Sequence, residues 1–481
     1  MSRKERVFSV LKSWQDPFAS DGDNVKPLVF ACYANALDVK KKDKLISING
    51  TGLSGQPGTT NQNISLKGTL FRFASMTKVL APIAYAMVCD MFPNEITLDT
   101  KASTFITELS SVNTYYAVEG GEVVVKTGQE TSNLGELITL RNLFSGNSGL
   151  GYGFWGMGAI SALLYSTDDA TKIYKKFYAD QAAHGADTIY QSFASDGNIE
   201  SFTDNIIYRC TLPLLFKPNS YLSQGMGIYD VGTTVVAGCL NVFVKGKGYL
   251  SLVDFLQKNL FCKMNIKDMF FNCGTNPPTG LESNMADAYF YRSSENNFKK
   301  GSNISSNTFY SVYDKQSSGD GFVNQNINVY TKSKPLSDKY AGGFDWSMLS
   351  SLSSYMKIIK CLVSGGMYKG KRVLSKPVVS WVLATKQNVD YQITVCGPGS
   401  YNLLNGNQLW CDGFANKVTD DFPITKNVYS WGGYFATSVI YDISTGNILI
   451  SGSQISGASN TPTAVAGAQP PSGVLFNIIT K

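Results

Sequence analysis

Residues 71–78 read Phe-Arg-Phe-Ala-Ser-Met-Thr-Lys, and an apolar run, Val-Leu-Ala-Pro-Ile-Ala-Tyr-Ala-Met-Val-Cys, follows at residues 79–89. The spacing of this run is helical, so Ser75 and Lys78 are expected one turn apart on the same face of a helix start. A serine hydroxyl attacks carbonyl carbons poorly until a base takes its proton, and a lysine amine can take that proton once burial lowers its pKa. These residues therefore predict a nucleophile, Ser75, beside its base, Lys78.

The same spacing has a plainer interpretation, in which Ser75 only caps a helix and Lys78 is solvated. Serine and lysine are common residues, and a chain of 481 residues contains such pairs by chance. The S-x-x-K motif alone leaves both interpretations open, so the rest of the chain has to distinguish them.

The composition indicates a globular protein, and the length of the chain is enough for two or three domains. Apolar residues make up 43% and charged residues 16%, which is unlike a disordered chain. The net charge of +6 is small for this length, and no long basic stripe occurs. The lysine-rich run at residues 40–44 is interpreted as a solvated turn, so we expect no nucleic-acid partner.

Cysteine and histidine usage narrows the chemistry further. The nine cysteines are odd in number and show no C-x-x-C spacing, so a disulfide framework is not expected. The only histidine, His184, excludes a Ser-His-Asp triad unless it supplies the base, and it leaves too few soft ligands for a typical zinc site. We therefore expect no metal and no cofactor.

The apolar segments predict a cytoplasmic protein with no membrane span. No uninterrupted apolar stretch follows the charged start at residues 1–6, so a signal peptide is not indicated. The longest apolar run, residues 79–89, is too short to cross a bilayer.

The order of predicted elements places strands near both termini and helices between them. Alternating apolar residues predict strands at Leu28–Ala34, Leu45–Ile48, Tyr434–Tyr441 and Asn447–Gly452, the last two joined as a hairpin. Helical spacing occurs in segments that include Val79–Asp90, Val231–Val244 and Ser350–Leu362. This order predicts a sheet assembled from the two termini, with a helical region inserted and Ser75 at the seam.

Several other motifs follow Ser75-x-x-Lys78 in a fixed order. Residues 138–150 read Ile-Thr-Leu-Arg-Asn-Leu-Phe-Ser-Gly-Asn-Ser-Gly-Leu. Residues 218–220 read Pro-Asn-Ser, residues 342–347 read Gly-Gly-Phe-Asp-Trp-Ser, and residues 365–374 read Gly-Gly-Met-Tyr-Lys-Gly-Lys-Arg-Val-Leu. Residues 430–434 read Ser-Trp-Gly-Gly-Tyr. Together these motifs span most of residues 71–455.

In this order the motifs resemble the penicillin-recognising serine hydrolases, in particular the class C β-lactamase-like esterases and lovastatin-type acyltransferases. Residues 138–150 resemble the family's I-T-L-R-H-L-L-T-H-T-S-G-L with both histidines replaced. Residues 430–434 resemble the W-G-G of esterase members, which stands where β-lactamases have K-T-G.

The resemblance implies a β-lactamase/transpeptidase-like fold of the α/β (α+β) class. Such a fold has an antiparallel sheet flanked by helices, a mostly helical inserted domain, and an active site in the cleft between them. Residues 1–74 and 335–481 would form an α/β sandwich domain built from both termini. Residues 75–334 would form the mostly helical domain, with loop-rich insertions.

The resemblance also implies acylation of a serine, followed by transfer of the acyl group to water or to another nucleophile. Ser75 carries over as the nucleophile and Lys78 as its base. The backbone amides of Ser75 and Tyr434 would form the oxyanion hole. The substrate edge would consist of Trp431, Gly432, Gly433 and Tyr434.

One position departs from the family pattern in a way that bears on catalysis. The family's catalytic tyrosine lies six positions after the proline of its P-G-T motif, and that position here is Gln224. Glutamine does not lose a proton near neutral pH, so it cannot relay one to a leaving group or activate water.

Three alternatives follow from Gln224. In the first, Lys78 is the base and another tyrosine relays the proton or lines the site; the candidates are Tyr152, Tyr221 and Tyr229. In the second, acylation is retained but hydrolysis is slow, which favours transfer to a bound amine or alcohol. In the third, the catalytic unit is broken and the protein has a binding or regulatory role.

Trp431 bears on the substrate class. It replaces the cation that holds the carboxylate of a β-lactam, so penicillins and cephalosporins are poor candidate substrates. An aromatic side chain there fits an ester or thioester with an apolar acyl group. The expected partners are therefore a small-molecule acyl donor and an acyl acceptor.

Overall fold

A computed structural model gives the architecture of the chain. The residues it describes are 1–16, 26–38, 40, 42–48, 64–129, 131–151, 172–173, 175–177, 179–180, 212–220, 232–271, 286, 289–292, 297–300, 348–383, 393–395, 399–401, 428–433, 436–456 and 472–481.

The strands in this part of the chain, in order, are β1 (Val29–Asn35), β2 (Lys44–Ile48), β3 (Leu70–Arg72), β4 (Thr114–Glu119), β5 (Glu122–Thr127), β6 (Met269–Phe271), β7 (Tyr289–Arg292), β8 (Asn297–Lys300), β9 (Met348–Ser351), β10 (Met367–Tyr368), β11 (Lys371–Arg372), β12 (Ile393–Val395), β13 (Gly399–Tyr401), β14 (Val428–Gly433), β15 (Thr437–Asp442), β16 (Asn447–Gly452) and β17 (Ile455–Ser456). The α-helices are α1 (Arg3–Gln15), α2 (Leu80–Met91), α3 (Leu140–Ser145), α4 (Gly232–Lys245), α5 (Leu252–Leu256), α6 (Cys262–Met264), α7 (Leu352–Val363), α8 (Lys376–Val382) and α9 (Ser472–Thr480).

The central sheet is antiparallel and has the strand order β14-β15-β16-β1-β2. Strand β1, near the start of the chain, pairs with β16, near its end, in the register Cys32 to Ile450. The sheet is thus assembled from both termini, and β14 forms one of its edges.

Alternation along the strands gives the sheet two apolar faces. On one face, Val29 and Ala31 pack with Val7 and Leu11 of α1 and with Leu475 of α9. On the other face, the intervening residues of β1 and the inner residues of β15 and β16 join the larger core that contains α2, α4 and α7. Helices therefore cover both sides of the sheet.

Helix α2 is the centre of the helical part. Every residue from Leu80 to Val88 is buried, and α2 packs against α4 and α8. Its Tyr85 ring lies 5.4 Å from the Phe144 ring and 4.9 Å from the Trp381 ring, measured between centroids. These contacts fix the helix that continues from Ser75 and Lys78.

The predicted fold class is confirmed, and three of the four predicted terminal strands agree with the observed bounds to within one residue, whereas the strand predicted at Tyr434–Tyr441 is observed at Thr437–Asp442. The W-G-G run is an exception, because the sequence places it before the strand Tyr434–Tyr441, whereas it ends a strand of its own, β14, and β15 begins at Thr437. The division at residues 74/75 and 334/335 stays a prediction. None of the helices in the described part of the chain combines the length and apolar character that a bilayer crossing requires.

Candidate active site

Ser75 and Lys78 lie on a 3₁₀ helix, Ala74–Val79, that leads directly into α2. We call this segment the Ser75 turn. Pro82 accounts for the change of helix type, because it has no N–H to bond to the Lys78 carbonyl and its ring would clash with that carbonyl in a continuous α-helix. In a 3₁₀ helix, side chains three residues apart eclipse each other. The S-x-x-K spacing therefore stacks the two side chains on one side of the turn.

The two side chains differ in exposure. Ser75 is half-buried, whereas Lys78 is 1% exposed. A buried amine beside a partly accessible hydroxyl is the arrangement that a serine nucleophile and its base require.

Hydrogen bonds from β9 and α7 fix the Ser75 turn. The backbone N–H of Met348 donates to the Thr77 hydroxyl over 3.0 Å, and the Tyr355 hydroxyl donates to the Met76 carbonyl over 3.2 Å. Both Thr77 and Tyr355 are fully buried, and the Tyr355 ring stacks on Phe73 with centroids 4.7 Å apart. The turn is thus held through the Thr77 side chain and the Met76 carbonyl.

The edge strand β14 lies directly against the Ser75 turn. The indole N–H of Trp431 donates to the Ser75 carbonyl over 2.7 Å. Two residues further along β14, a methyl group on Gly433 would lie 2.2 Å from the Phe73 carbonyl oxygen, closer than non-bonded atoms approach. A glycine is therefore required at Gly433 for this contact.

Strand β3, which leads into the turn, is held on both edges. On one edge it pairs with β9, in the register Phe71 to Ser350. On the other, the Arg72 backbone N–H donates to Gln454 Oε1 over 2.8 Å, and Gln454 Nε2 donates back to the Arg72 carbonyl over 3.2 Å. The Gln454 side chain thus takes the place of a strand partner.

The segment that resembles the family's S-G-L motif joins the Pro218–Ser220 segment. Asn142, which stands where the family has its first histidine, donates from Nδ2 to Asn219 Oδ1 over 2.6 Å. The Asn219 N–H donates to the Asn147 carbonyl over 3.1 Å. Gly146 replaces the second histidine and ends α3 at φ 68°, a conformation that favours glycine. Both replacements have local structural roles.

The structure brings together Ser75, Lys78, Trp431 and Gly433, and Gly432 lies between the last two on β14. The other candidate site residues, Tyr152, Gln224, Tyr229 and Tyr434, lie outside the described residues, as does Tyr221.

Sequence reasoning missed the residues that hold the turn, namely Thr77, Met348, Tyr355 and Gln454. Thr77 stands inside the S-x-x-K motif, so its proximity could be inferred. Nothing local marks Gln454, because it is 382 residues from its partner Arg72.

No protein-family model matches the sequence, and no curated protein matches it. Solved structures do match along almost the whole chain. Simvastatin synthase (LovD) from Aspergillus terreus, unliganded, matches with a TM-score of 0.61 at 13% identity, covering 99% of this chain and 98% of that one. EstCE1, a hydrolase with promiscuous acyltransferase activity, matches with a TM-score of 0.58 at 13% identity and 98% coverage of both chains.

A third similar structure is a penicillin-binding protein homologue from Caulobacter crescentus, with a TM-score of 0.53 at 12% identity, covering 100% of this chain and 97% of that one. The chain has a β-lactamase/transpeptidase-like fold. At these identities the likeness establishes the fold, which confirms the resemblance found in the sequence.

Proposed function

We propose that the protein is a serine hydrolase or acyltransferase that acts on an ester or thioester through an acyl-enzyme. The observation that carries the proposal is the Ser75 turn: a partly accessible serine and a buried lysine are eclipsed on a 3₁₀ helix, and a glycine-containing edge strand lies against that turn. A penicillin-binding protein homologue, simvastatin synthase and a hydrolase with promiscuous acyltransferase activity share the fold, which supports the same chemistry.

In the proposed reaction, Ser75 Oγ attacks the acyl carbonyl carbon while its proton passes to Lys78 Nζ. The tetrahedral intermediate collapses, the bond to the leaving alkoxide or thiolate breaks, and the leaving group takes a proton. Water or a second alcohol or amine then attacks the acyl-enzyme and regenerates Ser75. Backbone N–H groups of Ser75 and Tyr434 stabilise the oxyanion in both steps.

A fluorophosphonate probe tests the proposal, because it reacts with an activated serine and loses fluoride. We expect the wild-type protein to be labelled on Ser75, and both Ser75→Ala and Lys78→Ala to lose labelling while remaining folded by circular dichroism. Thr107→Ala, a substitution on an exposed hydroxyl outside the site, is the matched control and should label normally. An unlabelled wild-type protein would overturn the proposal.

A non-hydrolytic binding role is the second candidate, and the replacement of the family tyrosine by Gln224 is the feature that favours it. A ligand that binds such a protein raises its melting temperature by mass action. In a binding protein, this rise would be the same in wild type and Ser75→Ala, and no acyl-enzyme would form.

Gln224→Tyr separates hydrolysis from transfer. If Gln224 limits deacylation, we expect the tyrosine to raise turnover of a p-nitrophenyl ester at least about tenfold, since a positioned general base contributes ~10²–10⁴-fold. Unchanged turnover would mean that another group already activates the acceptor, which is the first of the three alternatives drawn from the sequence.

A further inference from the structure

The proposed oxyanion hole is divided between two elements that are far apart in sequence. One N–H belongs to Ser75 on its turn, and the other belongs to Tyr434, which is joined to Gly433 at the end of β14 by a peptide bond. Oxyanion stabilisation depends on donors placed about 2.7–3.1 Å from the developing charge. Whatever sets the distance between the turn and β14 therefore sets the geometry of the hole.

Trp431 makes a direct bond between these two elements. Its indole N–H, which can only donate, bonds to the carbonyl oxygen of the nucleophile residue itself over 2.7 Å. The residue is 6% exposed, and a hydrogen bond shielded from water is stronger than an exposed one. This contact between β14 and the Ser75 turn is a hydrogen bond that a side chain of the strand donates to the backbone of the turn.

A second contact between β14 and the turn shows how the two elements are aligned. Trp431 and Gly433 are two residues apart and lie on the same side of β14, because successive strand residues alternate. Their partners, the carbonyls of Ser75 and Phe73, are also two residues apart. The strand and the turn therefore run past each other in register, with Trp431 at the Ser75 end and Gly433 at the Phe73 end.

We propose that Trp431 is a positioning residue that fixes β14 to the Ser75 turn through its indole N–H, and so sets the spacing of the two oxyanion-hole amides. This inference rests on the proposed function. The sequence analysis places Trp431 at the substrate edge. The proposed role is different, because most of the Trp431 side chain is buried against protein. The acceptor of the bond is the Ser75 carbonyl, so loss of the indole N–H is expected to change the spacing of the oxyanion-hole amides and to leave the base in place.

The test compares the reactivity of Ser75 in wild type and in two variants that lack the indole N–H. Trp431→Phe keeps an aromatic ring, and replacement of Trp431 by benzothienylalanine keeps the full ring shape with sulfur in place of the N–H. Trp14→Phe is the matched control, because Trp14 lies on α1, which packs on the face of the central sheet opposite to α2. Fluorophosphonate labelling rates and ester kcat and KM are measured from pH 6 to 10.

We expect both Trp431 variants to lose about 10- to 100-fold in labelling rate and in kcat, since a displacement of about 1 Å can cost ~10²-fold. KM and the midpoint of the pH profile should stay within about twofold, because neither substrate binding nor the base is altered. The control should retain wild-type rates. If Trp431→Phe is poorly folded, the benzothienylalanine protein decides.

Three results would overturn the inference. Wild-type rates in the benzothienylalanine protein would show that the N–H is not needed, while the proposed function would stand. A raised KM with unchanged kcat would make Trp431 a substrate-binding residue. A wild-type protein that is not labelled at all would remove the proposed function and this inference with it.

Discussion

At the scale of single residues, Gly433 has no room for a larger side chain. Its Cα faces both the Phe73 carbonyl and the Thr437 hydroxyl; an added methyl group would lie 2.2 Å and 2.5 Å from their oxygens. The Phe73 oxygen also accepts the Met76 N–H of the Ser75 turn over 3.0 Å. Any group larger than hydrogen at Gly433 would therefore displace the turn from β14.

We predict that Gly433→Ala abolishes labelling of Ser75 by a fluorophosphonate and lowers the free energy of unfolding by about 1–3 kcal/mol, the usual cost of overpacking. Gly246→Ala is the control. Its added methyl group would lie 3.2 Å from its nearest neighbour, the Phe243 carbonyl oxygen, and would not contact the Ser75 turn. Urea denaturation and labelling measure the two effects. Normal labelling of Gly433→Ala would contradict the tight contact.

Gln454 shows how a single side chain can complete a sheet. Its amide is fully buried and bonds to both backbone groups of Arg72, and the guanidinium of Arg72 donates to the Ala286 carbonyl over 2.9 Å. The strand that leads into the Ser75 turn is therefore attached both to the end of the central sheet and to residue 286.

At the scale of elements, the helix that carries Ser75 consists of two parts. Ala74–Val79 is a 3₁₀ helix and Leu80–Met91 is an α-helix, and Pro82 lies in the first turn of the latter. The sequence predicts a helix over Val79–Asp90 with Ser75 and Lys78 one turn apart at its start, but it does not predict the 3₁₀ segment in which these two residues are eclipsed. The helix type is therefore part of the site's geometry.

We predict that Pro82→Ala slows fluorophosphonate labelling several-fold while leaving the melting temperature unchanged or higher. The new N–H at position 82 can bond to the Lys78 carbonyl, which lets the α-helix extend backwards and rotates Ser75 relative to Lys78. Pro377→Ala, at the start of α8, is the matched control. Labelling at the wild-type rate would mean that other contacts, such as those of Thr77 and Tyr355, fix the turn by themselves.

Local signals explain which elements could be predicted from the sequence. The terminal strands have strong alternation, so their positions agree closely. The sequence analysis does not predict the β4–β5 hairpin, although Gly120 and Gly121, both with positive φ, form a two-glycine turn between two short apolar runs. Trp431 and Ser75 are 356 residues apart in the sequence, so no local sequence pattern predicts the hydrogen bond between them.

At the scale of the whole molecule, the interior contains thiols and phenols that are buried in apolar surroundings. Burial raises the pKa of the Cys361 thiol to about 12, and it also raises the pKa of Cys32 and of Cys239. The pKa values of Tyr355 and Tyr441 are raised for the same reason. All five groups are neutral in the folded protein at neutral pH.

We predict that the free energy of unfolding falls as the pH rises above about 8.5, the pKa of an unfolded thiol. The unfolded chain then releases protons that the folded protein keeps, so stability present below pH 8.5 is lost progressively towards pH 12. Each thiol contributes about 1.4 kcal/mol per pH unit in this window, and the tyrosines add to the loss above about pH 10. Urea denaturation under reducing conditions at pH 8, 9 and 10 measures the slope.

Cys361→Ala should reduce that slope by about 1.4 kcal/mol per pH unit, since one titrating group is removed. A free energy of unfolding that is the same at pH 8 and pH 10 would show that these thiols are accessible in the folded protein.

The most direct test of the acyl-enzyme is the mass of the intact protein after brief incubation with p-nitrophenyl esters of several chain lengths, followed by acid quenching and peptide mapping. We predict one added acyl group per chain, located on Ser75, and none in Ser75→Ala. No adduct with any ester in that series, or an adduct of equal amount in Ser75→Ala, would contradict it.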